Sequence, residues 1–346
     1  MDQQKSVLLI FTGGTISMAA NPETGALQPI DFESVQKLMP ELDDLSIHIQ
    51  AFPLLPLIDS SDVGPDTWER IALTIAENYD DFNGFVVLHG TDTMSYSASA
   101  LSFMLEGLTK PVIFTGSQLP IGMLRTDAKE NLITAVEIAA AQVDGIAIVP
   151  EVCIFFENKL FRANRTTKQN SEHFDAFNSF NYPILAEAGV HIKYYTNYIL
   201  KPSNDSKLHV RTNVDRNIAI LKIYPGITEQ TVQGILNIPG LRAVILETFG
   251  AGNAPRKQWL YKALEAATQK GIIIVNKSQC SIGSVEMGLY ETSLNLLNAG
   301  VISGYDSTTE ALVAKLMYLL GDIKEVETVK KLMVTNLCGE ITIDSH

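Results

Sequence analysis

Residues 6–17 read SVLLIFTGGTIS. Val7 to Phe11 form an unbroken apolar run that passes directly into two glycines flanked by threonines. A continuous apolar run of this length suits a strand buried on both faces, the arrangement of a parallel sheet. A buried strand that ends in a backbone stripped of side chains, yet carries hydroxyls, either wraps a phosphate or presents an alcohol to a substrate. The same kind of run recurs along the chain as GFVVLHGTD (84–92), PVIFTGSQ (111–118) and GIAIVPEVCIFF (145–156). After about residue 215 come NIAILKIYPG (217–226), RAVILETFG (242–250) and GIIIVNKSQ (271–279).

Helical patterns lie between the runs. In PDTWERIALTIAENYD (65–80), Trp68, Ile71, Ala72, Ile75, Ala76 and Tyr79 share one face, and Pro65 suits a helix start. TDAKENLITAVEIAAAQ (126–142) and STTEALVAKLMYLL (307–320) behave in the same way. Alternation of strand and helix predicts an α/β fold with helices on both sheet faces. Residues 193–216 break the rhythm with polar residues, Pro202 and an SND turn signal. The expected organisation is a larger domain with a mostly parallel sheet over 1–192, a linker over 193–216 and a smaller α/β domain over 217–346.

The 346 residues are 46% hydrophobic and 19% charged, the composition of a globular protein of two domains. No apolar run is long enough to span a bilayer, so no membrane partner is expected. The net charge of −13 disfavours nucleic acid, whose phosphates are bound by lysine and arginine. Cys153, Cys280 and Cys338 are odd in number and widely spaced, which argues against a disulfide framework or a zinc site. The strand begins too near the amino terminus to leave room for a signal peptide, so a cytoplasmic location is expected.

Ligands of open parallel sheets bind outside the carboxyl ends of the strands. Those ends carry Thr12, Gly13, Gly14 and Thr15; then Asp59, Ser60, Ser61 and Asp62; then His89 to Thr93; then Thr115, Gly116 and Ser117. The phosphate reading lacks both the GxGxxG and the Walker spacing, and Asp59, Asp62 and Asp92 would repel the ligand. The nucleophile reading fits better. The two glycines let substrate approach the backbone and their amides could steady an oxyanion. A threonine hydroxyl then needs a base. His89 ends a buried strand and reads as a structural histidine. Lys168 closes the stretch KLFRANRTTKQN (159–170), read as a polar loop, and a lysine desolvated beside a glycine turn can act as a base.

TGGTI (12–16) together with HGTDTM (89–94) resembles the two signature segments of bacterial-type L-asparaginases. DSSD (59–62), TGSQ (115–118), NRTTK (164–168) and GAGNAP (250–255) extend the resemblance over nearly the whole chain, in the form of the type I, cytoplasmic branch. The resemblance implies hydrolysis of L-asparagine to L-aspartate and ammonia by a homotetramer, without cofactor or metal. It assigns Thr15 as nucleophile in a mobile loop, with acyl transfer to it followed by attack of water. Thr91, Lys168 and Asp92 form a second set in which Lys168 accepts a proton. Asp59, Ser60 and Ser61, with Thr91 and Asp92, hold the α-amino and α-carboxylate groups, and Ser117 lies near the amide. The mobile-loop tyrosine common in the family is Ala26 here, and Tyr290 matches a tyrosine brought from a neighbouring subunit. A regulatory asparagine site maps to Thr167, Glu247, Asn253, Ser278 and Cys280. The regulatory form has arginine at the position of Glu247, so regulation is expected to be lost or altered. Two other readings compete: a tRNA-dependent amidotransferase component sharing this domain, and a non-catalytic amino-acid sensor.

Overall fold

The computed structural model describes residues 4–20, 27–29, 32–201, 207–288 and 291–343. Contacts divide the chain into two units, 1–212 and 213–346. Part of the segment read as a linker carries structure in the first unit: strand Ile192–Tyr194 ends within it, and His209–Val210 pairs with Leu105–Glu106.

Apart from three short two-stranded pairs, the strands of the first unit are β1 (Lys5–Phe11), β2 (Ile47–Pro53), β3 (Gly84–Leu88), β4 (Val112–Thr115), β5 (Val152–Phe156), β6 (Lys159–Arg162), β7 (Thr167–Lys168), β8 (Phe177–Asn178), β9 (Ala186–Ala188) and β10 (Ile192–Tyr194) among the described residues. Eight of them form one sheet in the order β10-β9-β6-β5-β4-β3-β1-β2. From β2 to β5 the neighbours run parallel, and β6, β9 and β10 complete the edge in antiparallel fashion. β7 and β8 form a separate antiparallel pair. The chain places β2 on one side of β1 and then crosses to place β3 on the other. That reversal is the topological switch point, and the loops after β1 and β3 flank it.

The core explains why the strands read as continuous apolar runs. Val7, Leu9 and Phe11 of β1 pack with Leu132, Ala135 and Val136 of helix α3 (Ala128–Ala140). Leu8 and Ile10, pointing to the opposite face, are equally buried. Helix α1 (Pro65–Glu77) starts with Pro65 after Gly64 and buries Trp68, Ile71, Ala72 and Ile75. The Trp68 indole donates to Ser97 of helix α2 (Met94–Met104) at 3.0 Å, so the two helices pack against each other.

Two local expectations are corrected. GIAIVPEVCIFF is not one strand: Ile146–Ala147 turns back on Gln142–Val143 through Asp144 and Gly145, both at positive φ, and β5 starts only at Val152. KLFRANRTTKQN is not a polar loop either, since its first four residues form β6. Arg162 there is 2% exposed because Glu151 pairs with it at 2.6 Å.

The second unit has strands β11 (Ile218–Lys222), β12 (Ala243–Thr248), β13 (Ile273–Ser278) and β14 (Ile302–Ser303), parallel and in sequence order. Its helices are α4 (Glu229–Leu236), α5 (Gln258–Gln269), α6 (Glu291–Asn298), α7 (Thr309–Asp322) and α8 (Val326–Met333). Leu221, Val244, Leu246 and Ile274 meet Val232, Leu260, Leu264 and Leu296 in its core. The expected fold class, a larger unit with a mostly parallel sheet and a smaller parallel α/β unit, is the fold of the chain.

Candidate active site

Three glycines bring the strand-end loops of the first unit together. Gly13 and Gly14 have φ of 124° and 88°, a region that side chains rarely adopt. A Cβ on Gly13 would lie 2.2 Å from the carbonyl oxygen of Ile58, and one on Gly14 would lie 2.4 Å from the amide nitrogen of Gly90. A Cβ on Gly90 would in turn lie 2.5 Å from Ser60 Oγ. The loops after β2, β1 and β3 are therefore in backbone contact, with Ser60, Thr15 and Thr91 each at or next to a contact point. Hydrogen bonds reinforce the convergence. Ile58 N donates to Thr12 O at 2.8 Å, Thr12 Oγ1 to Leu88 O at 2.9 Å, and Thr93 Oγ1 to Ser60 O at 2.6 Å.

Thr15 opens a short 3-10 turn, Thr15–Ser17, directly after the Gly13–Gly14 bend. Asp59 opens another, Ser60–Asp62, and its Oδ1 accepts from both the amide and the hydroxyl of Ser61 at 2.8 Å. These two bonds favour the carboxylate and hold Asp59 below its ordinary range.

Lys168 reaches the loop after β3 from the β7–β8 pair. Its Nζ donates to Thr91 Oγ1 at 2.8 Å and to Asp92 Oδ1 at 2.6 Å. The lysine side chain is 17% exposed and the aspartate 63%, so an ammonium at this position is largely out of water while its carboxylate partner faces it. Thr91 Oγ1 donates onward to Gln118 Oε1 at 3.3 Å, and Gln118 Nε2 donates to His173 O at 3.0 Å. Thr91, Asp92 and Lys168 thus form one connected set, reached from two distant parts of the sequence.

Other residues turn away from this set. His89 is fully buried. The Gly90 carbonyl can only accept, so Nδ1 carries the hydrogen of the 2.7 Å contact with it, and Nε2 accepts from Ser97 at 2.9 Å. Burial pushes His89 down to about 4. It is a neutral structural histidine, as its sequence context suggested. Ser117 is 2% exposed and its hydroxyl donates to Leu119 O at 2.6 Å. Gln118, the next residue, makes the contact with Thr91, and the sequence reading missed it by stopping at the serine. The available signal was the glutamine itself, the last letter of TGSQ. Ala26 and Tyr290 lie outside the described residues. Among the described residues, no cluster of three or more His, Cys, Asp or Glu side chains could hold a metal, and no helix is long and apolar enough to cross a membrane.

Residues 6–200 match the family model described as Asparaginase, N-terminal, and residues 217–333 match the Glutaminase/Asparaginase C-terminal domain. The chain belongs to the asparaginase family. An asparaginase relative, L-asparaginase 1 of Escherichia coli (strain K12), is 45% identical, and the match covers 99% of each chain. The crystal structure of L-asparaginase I from Vibrio cholerae is 42% identical with a TM-score of 0.90, covering 99% of this chain and 100% of that one. A glutamyl-tRNA(Gln) amidotransferase component of Pyrococcus horikoshii is 34% identical, covering 97% of this chain and 76% of that protein.

Four of the positions that the resemblance to asparaginases marks as regulatory gather at the carboxyl ends of β12 and β13. Glu247 accepts from Thr309 Oγ1 at 2.9 Å and faces Lys222 Nζ at 3.8 Å. Ser278 donates to Gly250 O at 2.6 Å and accepts from Cys280 N at 3.0 Å, while Asn253 and Phe249 exchange backbone bonds. Thr167 stands beside Lys168 on β7, in the first unit.

Proposed function

We propose that this chain hydrolyses L-asparagine to L-aspartate and ammonia, with Thr15 as nucleophile. One observation carries the reading: Lys168 Nζ lies 2.8 Å from Thr91 Oγ1 and 2.6 Å from Asp92 Oδ1. A lysine held against an alcohol by a carboxylate is a store for one proton, because the carboxylate stabilises the ammonium that forms when the lysine accepts. The close approach of Gly14 to Gly90 brings the backbone next to Thr15 against the backbone next to Thr91, which supports a short path from Thr15 to this store. Thr15 Oγ1 attacks the side-chain carbonyl carbon, and its proton passes by way of Thr91 to Lys168. The carbon–nitrogen bond breaks and ammonia leaves with a proton. Water then attacks the ester by the reverse route, which divides one difficult step into two easier ones.

The substrate's charges suit the loops around it. Asp59 and Asp92 offer carboxylates to an ammonium group. Ser60 offers a hydroxyl to a carboxylate, and Ser61 would do so by exchanging its bond to Asp59 for one to the ligand. The full-length relatedness to proteins whose names carry L-asparaginase supports this substrate over the amidotransferase reading, whose relative is less similar and only 76% covered. Retention of the Thr91–Asp92–Lys168 set favours an enzyme over a sensor. The resemblance further leads us to propose a homotetramer working in the cytoplasm.

Ammonia release from asparagine and glutamine tests the reading. Thr15→Val is expected to fold normally and lose at least ~1,000-fold in kcat, since a covalent route ends with its nucleophile. Lys168→Met is expected to fall on the order of 100-fold or more, the usual worth of a positioned general base. A Thr15→Val protein that keeps most of its turnover would remove Thr15 from the role.

A further inference from the structure

Gln118 stands at the end of a row. The strands β2, β1, β3 and β4 are neighbours in that order, so the loops after them follow one another along the sheet edge: Asp59 and Ser60, then Gly13 to Thr15, then Thr91 and Asp92, then Ser117 and Gln118. Neighbouring strands lie ~4.8 Å apart, which makes the row longer than an asparagine molecule. On the hydrolase reading above, on which this inference rests, the α-amino and α-carboxylate groups bind at the first loop. The scissile carbonyl sits over the second and third. The amide nitrogen then points along the row, at Gln118.

Beyond Gln118 the surface opens into a groove of about 720 Å³. Gln118 is the residue the two share: it lines the groove, and its amide oxygen accepts from Thr91, so the groove begins one side chain away from the Thr91–Asp92–Lys168 set. Leu119, Met123, Leu124 and Phe174 form the apolar part of its lining, and Ser171, Glu172 and His173 share the polar part with Gln118. Leu124 is 103% exposed and Met123 50%, so both project apolar side chains into water beside the groove. Arg125 lines the same groove, is exposed, and pairs with no carboxylate among the described residues. Ammonia needs neither an apolar wall nor a guanidinium.

We propose that this groove is a leaving-group subsite, and that the enzyme also hydrolyses β-aspartyl dipeptides whose second residue is apolar. Leu119, Met123, Leu124 and Phe174 cover the apolar side chain of that residue, and Arg125 pairs with its carboxylate. The chemistry balances as it does for asparagine. Thr15 Oγ1 bonds to the β-carbonyl carbon, the carbon–nitrogen bond breaks, and the departing amine takes the proton stored on Lys168. Water then releases aspartate, so one dipeptide and one water give aspartate and one free amino acid.

The test offers the full-length protein β-L-aspartyl-L-leucine and follows free leucine, with ammonia from asparagine measured alongside. The wild-type protein is expected to release leucine. Arg125→Gln is expected to raise KM for the dipeptide about tenfold, the ordinary worth of one charged hydrogen bond, and to leave asparagine kinetics unchanged. The leucinamide form of the dipeptide, which lacks the carboxylate, should show the same weakening with the wild type and none further with the variant. Leu124→Asp should weaken both dipeptide forms and spare asparagine. Hydrolysis of asparagine with no leucine from the dipeptide overturns the inference, whether or not the dipeptide slows ammonia release. Leucine release that Arg125→Gln and Leu124→Asp leave untouched overturns the assignment of the groove. A protein inert toward both compounds overturns the hydrolase reading, and this inference with it.

Discussion

His89 lies two residues from Thr91 and stays outside the proposed proton path, because both its ring nitrogens are already engaged. Nδ1–H is committed to Gly90 O, and Nε2 to the Ser97 hydroxyl, which in turn accepts from Trp68. The ring also lies 5.9 Å from that of Phe114. A buried neutral histidine has a definite consequence for stability. Its ordinary value is 6.5 and burial lowers it to about 4, so between those two the unfolded chain binds a proton that the folded chain refuses. The contribution is complete above pH 6.5 and is lost as pH falls toward 4, a change of about 3 kcal/mol for this one group. Urea unfolding at pH 7 and pH 4.5 should therefore show a larger loss in the wild type than in His89→Gln, which has nothing to protonate there. Parallel losses in the two proteins would take His89 out of the explanation.

At the scale of elements, the proposed mechanism depends on how closely the loops after β1 and β3 approach. Gly14→Ala would place a methyl group 2.4 Å from Gly90 N on a residue at φ 88°, so the loop must move. Thr15 is the next residue, and a shift of about 1 Å at a reacting group can cost ~100-fold. The expected outcome is a fall of that order in kcat, with stability reduced by ~1–3 kcal/mol from backbone strain. Gly234→Ala is the contrast. Gly234 lies in helix α4, exposed, with no atom within 4 Å of a Cβ, and the change should add ~0.5–1 kcal/mol. Equal losses in activity from the two substitutions would discredit the loop-contact account. The same elements mark what the sequence could tell. The parallel strands were legible because burial on both faces leaves uninterrupted apolar runs, and the site loops were legible because glycine and hydroxyl residues recur after them. β6 was not legible, since Lys159 and Arg162 break its apolar pattern and Glu151, which makes Arg162 buriable, stands outside the strand. The Asp144–Gly145 hairpin was readable from its Asp-Gly pair but was hidden by the apolar residues that follow, one of which, Ile146, is 65% exposed. The bond from Thr91 to Gln118 spans 27 residues and has no local signature.

At the scale of the whole molecule, the net charge of −13 does not oppose the proposed ligand, because a zwitterion carries no net charge into that field. Each unit also contains a buried ion pair. In the first, Arg162 and Glu151 are joined by a further bond from Arg162 Nη2 to Tyr198 O at 2.8 Å. In the second, Lys315 of α7 and Glu340 are each 1% exposed. Lys315 Nζ donates to Glu340 and to the carbonyls of Met333 and Thr335, at 3.0 Å and 2.6 Å, while Glu340 accepts from the amides of Leu337 and Cys338. One lysine therefore fastens the end of α8 and the turn after it to α7. Replacing it with methionine keeps the bulk but leaves Glu340 as a buried charge without its cation, which costs ~3–5 kcal/mol. The chain has two tryptophans, Trp68 in the first unit and Trp259 on α5 in the second. In a Trp68→Phe background, Trp259 fluorescence reports the second unit alone. Lys315→Met should lower its urea midpoint markedly, and adding Glu340→Gln, which removes the orphaned charge, should recover part of the loss. If Lys315→Met costs less than ~1 kcal/mol, or Glu340→Gln deepens the loss instead of relieving it, the pair is a bystander and the packing of α7 against α8 must hold that end of the chain without it.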